Sequence, residues 1–205
     1  RRLESVVPAN IQMSIKWQAV RAARTLAKQN AGDEAVSPSL MVAWAVARAM
    51  EKHASFRSLV TKDGSIIQHD DFDLGFAVAL EEDRLATAVI HQANRLAWPD
   101  FCRAYGTALA AARAGKIEDV QAPLNITSLG SFGVESAIPI VVPPAMSTLF
   151  IGTAHQQMIN DGGVIYPVEA VQASLTFDHK VVNGAGAAAF LQEVKTQLEK
   201  FVLAE

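Results

Sequence analysis

The chain has 205 residues, half of them hydrophobic, and a formal net charge of -3. That length suits a single domain with its own core, and the charge argues against a nucleic-acid or other polyanionic partner. The single cysteine, Cys102, excludes an intrachain disulfide. It also disfavours a thiolate metal cage and suits a reducing compartment. His53, His69, His91, His155 and His179 lack ligand spacing, so no metal is expected. Neither a secretory signal nor an apolar run long enough to span a bilayer is present, which predicts no membrane partner. A start at Arg1-Arg2 rather than Met leads us to expect a piece of a longer chain.

Arg1 to Ser5 reads as the end of a helix, stopped before Pro8. Gln12 to Trp17 alternates as a strand does. Gln18 to Asn30 has Val20, Ala23, Leu26 and Ala27 on one side and predicts a helix that stops near Gly32. Ser37-Pro38-Ser39 opens another helix, with proline in its first turn. Leu40 to Met50 is apolar nearly all round and is expected to be buried. Asp63-Gly64, between apolar runs in Phe56 to Gln68, predicts a hairpin. Leu74 to Leu80 reads as an interior strand, Glu81-Glu82-Asp83 as a turn, and Leu85 to Ile90 as the next strand. Trp98-Pro99-Asp100 starts an alanine-rich helix running to Ala114 and closed by Gly115.

Asn125-Ile126-Thr127-Ser128-Leu129-Gly130-Ser131-Phe132-Gly133 follows, its glycines fitting tight turns. Pro139 to Pro144 is a stiff extended loop. Thr148 to Ala154 and Val164 to Phe177 read as strands joined through the turn Asn160-Asp161-Gly162-Gly163. From Val171 to Phe177 the alternation of apolar with Gln172, Ser174 and Thr176 predicts a half-buried strand. Phe190, Val194, Leu198 and Phe201/Val202 mark an amphipathic helix. His179 thus falls between a rigid strand and a helix, a place where catalytic bases are often held. Taken alone, such a histidine is more often structural.

Asp178-His179-Lys180-Val181-Val182-Asn183-Gly184-Ala185 closely resembles the Asp-His-Arg-Val-Val-Asp-Gly-Ala signature of the dihydrolipoamide acyltransferases, the core subunits of 2-oxoacid dehydrogenase complexes. Further matches run through the chain in the same order. They are Arg2-Leu3-Glu4-Ser5 with Pro8, Ala54-Ser55-Phe56, Leu74 to Leu80, Arg113 to Ile117, Asn125 to Gly133, and Pro139 to Pro144. The resemblance implies an α/β fold (an α+β sandwich) like that of chloramphenicol acetyltransferase. In it a mixed sheet is flanked by helices, and a trimer carries interfacial active sites. Residues 1–205 would form one acyltransferase catalytic core domain.

By the same resemblance, the chain is a coenzyme A-dependent dihydrolipoamide S-acyltransferase working through a ternary complex. His179 is the general base on the thiol and Thr127 stabilises the tetrahedral oxyanion. Coenzyme A is a substrate, and the lipoyl group comes from a separate or upstream domain. The implied partners are a homotrimer or larger core, lipoyl domains and dehydrogenase subunits. The implied compartment is a bacterial cytoplasm or a mitochondrial matrix. Cys102, on the long helix, is not a candidate nucleophile.

Asn183 stands where the family signature has aspartate. Either the site is retuned, with Asn183 fixing the loop through hydrogen bonds, or it is weakened, or a basic partner has changed as well. The presence of both His179 and Thr127 favours the first account. The alternatives to the leading function are a catalytically weak or inactive structural core subunit and a stand-alone coenzyme A-dependent acyltransferase. Phe201-Val202-Leu203 is an apolar end suited to docking on a neighbour.

Overall fold

The computed structural model describes residues 6–31, 36–61, 63–82, 84–116 and 122–203. The expected helix end at Arg1 to Ser5, the stop at Gly32, and Asp83 and Ile117 lie outside the described residues.

The strands are β1 (Pro8–Lys16), β2 (Ser58–Val60), β3 (Ile66–Gln68), β4 (Leu74–Ala79), β5 (Leu85–Ile90), β6 (Leu124–Ser128), β7 (Ser147–Ile151), β8 (His155–Asp161) and β9 (Val164–Asp178). The helices are α1 (Gln18–Ala31), α2 (Pro38–Lys52), α3 (Trp98–Arg113) and α4 (Gly184–Glu199). Local chemistry explains several boundaries. The Ser37 side chain accepts a hydrogen bond from Leu40 N at the start of α2, with Pro38 next in the chain. Gly115 adopts a left-handed φ of 75° just past α3, and Lys116 N reaches back to Ala111 O. In the β8–β9 hairpin Gly162 and Gly163 both have positive φ, as a two-residue turn of the primed kind requires. Asp63 and Gly64 likewise turn β2 into β3, with Gly64 at φ 87°.

The main sheet runs β1-β9-β7-β6-β4-β5, with β8 also paired to β9. Neighbours β4/β6 and β6/β7 are parallel and the rest antiparallel, so the sheet is mixed. Leu124, Ile126, Leu149, Ile151, Ala173, Leu175 and Phe177 occupy alternate strand positions. They share one core with Val20 of α1, Met41 of α2, Phe101 of α3 and Phe190 of α4. Every helix therefore packs on the same face. Burying one such large apolar side chain is worth about 1.5–3 kcal/mol, so this layer supplies most of the cohesion.

Three expectations are corrected. The strand expected over Thr148 to Ala154 stops at Ile151 as β7, and the polar segment His155–Asp161 before the turn forms a strand of its own, β8. The break has a cause: a Cβ on Gly152 would sit 1.9 Å from the Glu135 carbonyl oxygen, so another backbone lies against this point. The end of β9 is buried on both faces, not one, with Ser174 fully buried. Asn10 on β1 satisfies that polar row, its amide donating to Ser174 Oγ at 3.0 Å and to Thr176 Oγ1 at 2.9 Å. Finally, α4 ends at Glu199, which leaves Phe201 packed on the core and Val202 81% exposed.

Candidate active site

Asp178 closes β9, and His179 is the first residue of the turn that follows. This turn is held from three sides. Asp178 N donates to Met146 O at 2.9 Å, and Asp178 O accepts from Val181 N and Val182 N. The Asp178 carboxylate, only 3% exposed, accepts from Lys180 N at 3.1 Å and from Val7 N at 3.2 Å. His179 N donates to Val7 O at 2.8 Å. Two backbone links and a buried carboxylate thus fix where the imidazole starts. The ring lies tilted against Phe177 with centroids 5.8 Å apart, and it is exposed. Its nitrogens take no hydrogen-bond partner among the described residues.

Asn183 is the N-cap of α4, its Oδ1 accepting from Gly186 N at 2.8 Å. Among the described residues no basic side chain pairs with it. In the fold it caps the helix that follows the histidine turn.

Thr127 belongs to the other face of the sheet. Its neighbours Ile126 and Ser128 flank it on β6, and Ile126 points into the helical core. The Thr127 hydroxyl is partly exposed and makes no hydrogen bond among the described residues. Ser128 is committed instead. Its Oγ donates to Ile151 O at 2.8 Å and accepts from Gly130 N at 3.2 Å. Of the two adjacent hydroxyls, Thr127 is therefore the one available to a ligand.

Strand register sets how far apart these groups lie. Thr127 pairs with Phe150, and Phe150 with Ser174, five residues before His179. Two strand spacings and five residue rises put the two backbones about 19 Å apart. A base and an oxyanion donor must both come within about 3 Å of the reacting atoms. One chain does not bring His179 and Thr127 together.

Sequence reasoning missed two features. One is Asp178 as the buried anchor of the turn; its signal was its place on the polar row with Gln172, Ser174 and Thr176. The other is a cavity of about 410 Å³ on the helix side of the sheet, reaching the Ser128–Gly130 turn just after Thr127. Trp17, Phe76 and Ile126 line it, with Tyr105 from α3 and Arg24 from α1. Burial pushes the Tyr105 phenol above its ordinary range, with hydrogen bonding to Ser37 and Ser39 opposing. Burial likewise pushes the Cys102 thiol up, away from thiolate character. No group of three or more His, Cys, Asp or Glu side chains is placed to hold a metal among the described residues. No helix among them is long and apolar enough to cross a membrane.

Known proteins resemble this chain over nearly its whole length. A curated relative, the dihydrolipoyllysine-residue acetyltransferase component of the acetoin cleaving system of Bacillus subtilis, is 33% identical over 97% of this chain. The chain spans about half of that relative's length, 52%. The solved dihydrolipoamide acetyltransferase of Azotobacter vinelandii superposes with a TM-score of 0.86 at 25% identity, covering 97% of this chain and 85% of that one. A serine, a histidine and an asparagine were investigated there for their role in its catalytic mechanism. Its histidine follows the serine by 52 residues and its asparagine follows the histidine by four, the spacings of Thr127, His179 and Asn183 here. Asparagine at the third position is therefore shared with that relative. Chloramphenicol acetyltransferase, 16% identical and covering 93% of this chain and 88% of its own, has the same fold at a TM-score of 0.57. Residues 2–204 match the family described as 2-oxoacid dehydrogenases acyltransferase (catalytic domain), and the chain belongs to that family.

Proposed function

We propose that this chain transfers an acyl group between dihydrolipoamide and coenzyme A, at sites shared by two copies of the chain. The observation that carries the reading is that the His179 ring and the Thr127 hydroxyl have no hydrogen-bond partner among the described residues yet lie about 19 Å apart on one chain. Each needs a counterpart from a neighbour. A homotrimer or larger core supplies one, with His179 of one copy facing Thr127 of the next.

The chemistry follows from the two side chains. A thiol with a pKa near ~8.5 is mostly protonated at neutral pH, and its thiolate is the nucleophile. A neutral His179 takes the S–H proton as sulfur bonds to the thioester carbonyl carbon. The carbonyl oxygen becomes an oxyanion, to which the Thr127 hydroxyl donates; such a donor contributes about 3 kcal/mol. Collapse breaks the original C–S bond, and the departing thiolate recovers the proton from the imidazolium. Asn183 contributes by capping α4 beside the histidine turn. In this reading the lipoyl group arrives on a separate or upstream domain. The partners are lipoyl domains and dehydrogenase subunits, in a bacterial cytoplasm or a mitochondrial matrix.

The test is steady-state transfer from S-acetyl-, S-succinyl- and S-isobutyryl-dihydrolipoamide to coenzyme A, alongside His179→Ala. Turnover with one donor that disappears in the variant is the expected result. A folded oligomer with no turnover on any donor would leave only a structural core subunit.

A further inference from the structure

We propose that the cavity on the helix side of the sheet binds the anionic end of a substrate, with Arg24 as the residue that reads its charge. The proposal deepens the acyl-transfer reading and rests on it for the identity of the substrates. At about 410 Å³ the cavity falls within the size range of small-molecule sites, and a short acyl group alone would leave much of it empty. Trp17, Phe76 and Ile126 give it apolar walls, while Ser128, Ser131 and Thr153 make the lining polar in nearly equal measure. Hydroxyls of Ser39 and Tyr105 lie on the same lining.

Arg24 is the only charged side chain on that lining among the described residues, and no carboxylate accompanies it. Its charge is also unanswered elsewhere, since it forms no ion pair among the described residues. The contrast on the same helix is direct: Arg21, one turn earlier, is bound to Glu169. A guanidinium presents a planar fork of donors that matches a carboxylate or a phosphate in two-point contact. A chamber lined by both apolar and hydroxyl side chains, with a single unanswered fork at its edge, fits a ligand with an uncharged body of mixed polarity and an anionic end. Two parts of the proposed substrates offer that chemistry, a carboxylate on the acyl chain and the phosphates of coenzyme A; a dithiol with a free carboxylate, dihydrolipoate in place of dihydrolipoamide, would offer it as well.

Pairs that differ in charge separate these sources, the third pair differing in the phosphates together with their adenosine. They are S-succinyl- against S-succinamoyl-dihydrolipoamide, dihydrolipoate against dihydrolipoamide, and coenzyme A against pantetheine. For each pair kcat/KM is measured with the parent, Arg24→Gln and Arg24→Lys. The expected result is a preference of about tenfold or more for the anionic member of one pair. Arg24→Gln collapses that ratio and Arg24→Lys partly keeps it. Ratios that Arg24→Gln leaves unchanged in all three pairs overturn the proposal, whatever happens to the absolute rates. If the parent turns over none of the donors, the acyl-transfer reading has failed separately. Calorimetric titration with lipoate against lipoamide, and coenzyme A against pantetheine, then decides whether Arg24 discriminates charge. Equal affinities across both pairs overturn it.

Discussion

Two variants that are each inactive should restore one another when assembled together. Replacing His179 by alanine removes the proposed base, typically a loss of 10²- to 10⁴-fold, and replacing Thr127 by alanine removes an oxyanion donor, a loss of about 10²- to 10³-fold. On one chain the two positions are about 19 Å apart, so no site is built from a single copy. In a 1:1 mixed assembly, a site is intact when one copy supplies His179 and its neighbour supplies Thr127. Random mixing makes that true of about a quarter of the sites in a closed ring. Co-expression with two affinity tags, purification on both, and acyl transfer to coenzyme A per site is the assay. Recovery to about a third of the parent rate in trimers that carry both tags, or about a quarter in larger cores that also hold unmixed trimers, from variants each near or below ~1%, is expected. Mixed assemblies confirmed by native mass spectrometry but no more active than the mean of the two variants would refute the reasoning. So would a fully active monomer.

Gly75→Ala places a Cβ 1.9 Å from Asn125 Oδ1 on the neighbouring strand. It should cost about 1–3 kcal/mol in urea unfolding, and a second change, Asn125→Ala, should return most of it; strictly additive losses would contradict the contact. Asn183→Ala removes the α4 cap and should cost about 1 kcal/mol, whereas Asn183→Asp keeps an acceptor and should stay within a few tenths. An alanine variant with the parent's urea midpoint would mean that Gly186 N–H finds another acceptor. His53 is held below the ordinary imidazole range by burial, with Glu193 opposing and Lys52 reinforcing. The unfolded chain therefore takes up this proton first as pH falls past about 6.5, so the folded state loses stability there and regains it as pH rises. His53→Gln should flatten Tm against pH between about 7 and 5.5, and an unaltered slope counts against this account.

Much of the fold was legible because its signals are local. Ser37-Pro38, Gly115, Asp63-Gly64 and Gly162-Gly163 each act within a few residues, and each marks a boundary that the structure keeps. Thr127, His179 and Asn183 were legible as motifs for a similar reason, since each stands at a strand end or helix start with a distinctive neighbourhood. What sequence could not supply was the order of strands. The distance between Thr127 and His179 exists only because β7 lies between β6 and β9. The strand β8 hid because it is an edge segment rich in Gln, Asn and Asp whose pairing to β9 replaces intrinsic preference. The anchoring role of Asp178 depends on Val7, 171 residues away. Arg24 gave no signal at all, because an arginine on an exposed helix face is ordinary until a cavity is found beside it.

Val7 spends both of its backbone groups on the histidine turn, donating to Asp178 and accepting from His179. β1 begins one residue later, so a change in how the chain enters that strand acts on these two bonds. The base is in effect moored to the entry of β1. Tension from a tethered neighbour would move the imidazole well before it loosened the helical core. Extensions, fusions or cleavages upstream of Val6 are therefore better judged by turnover than by melting temperature.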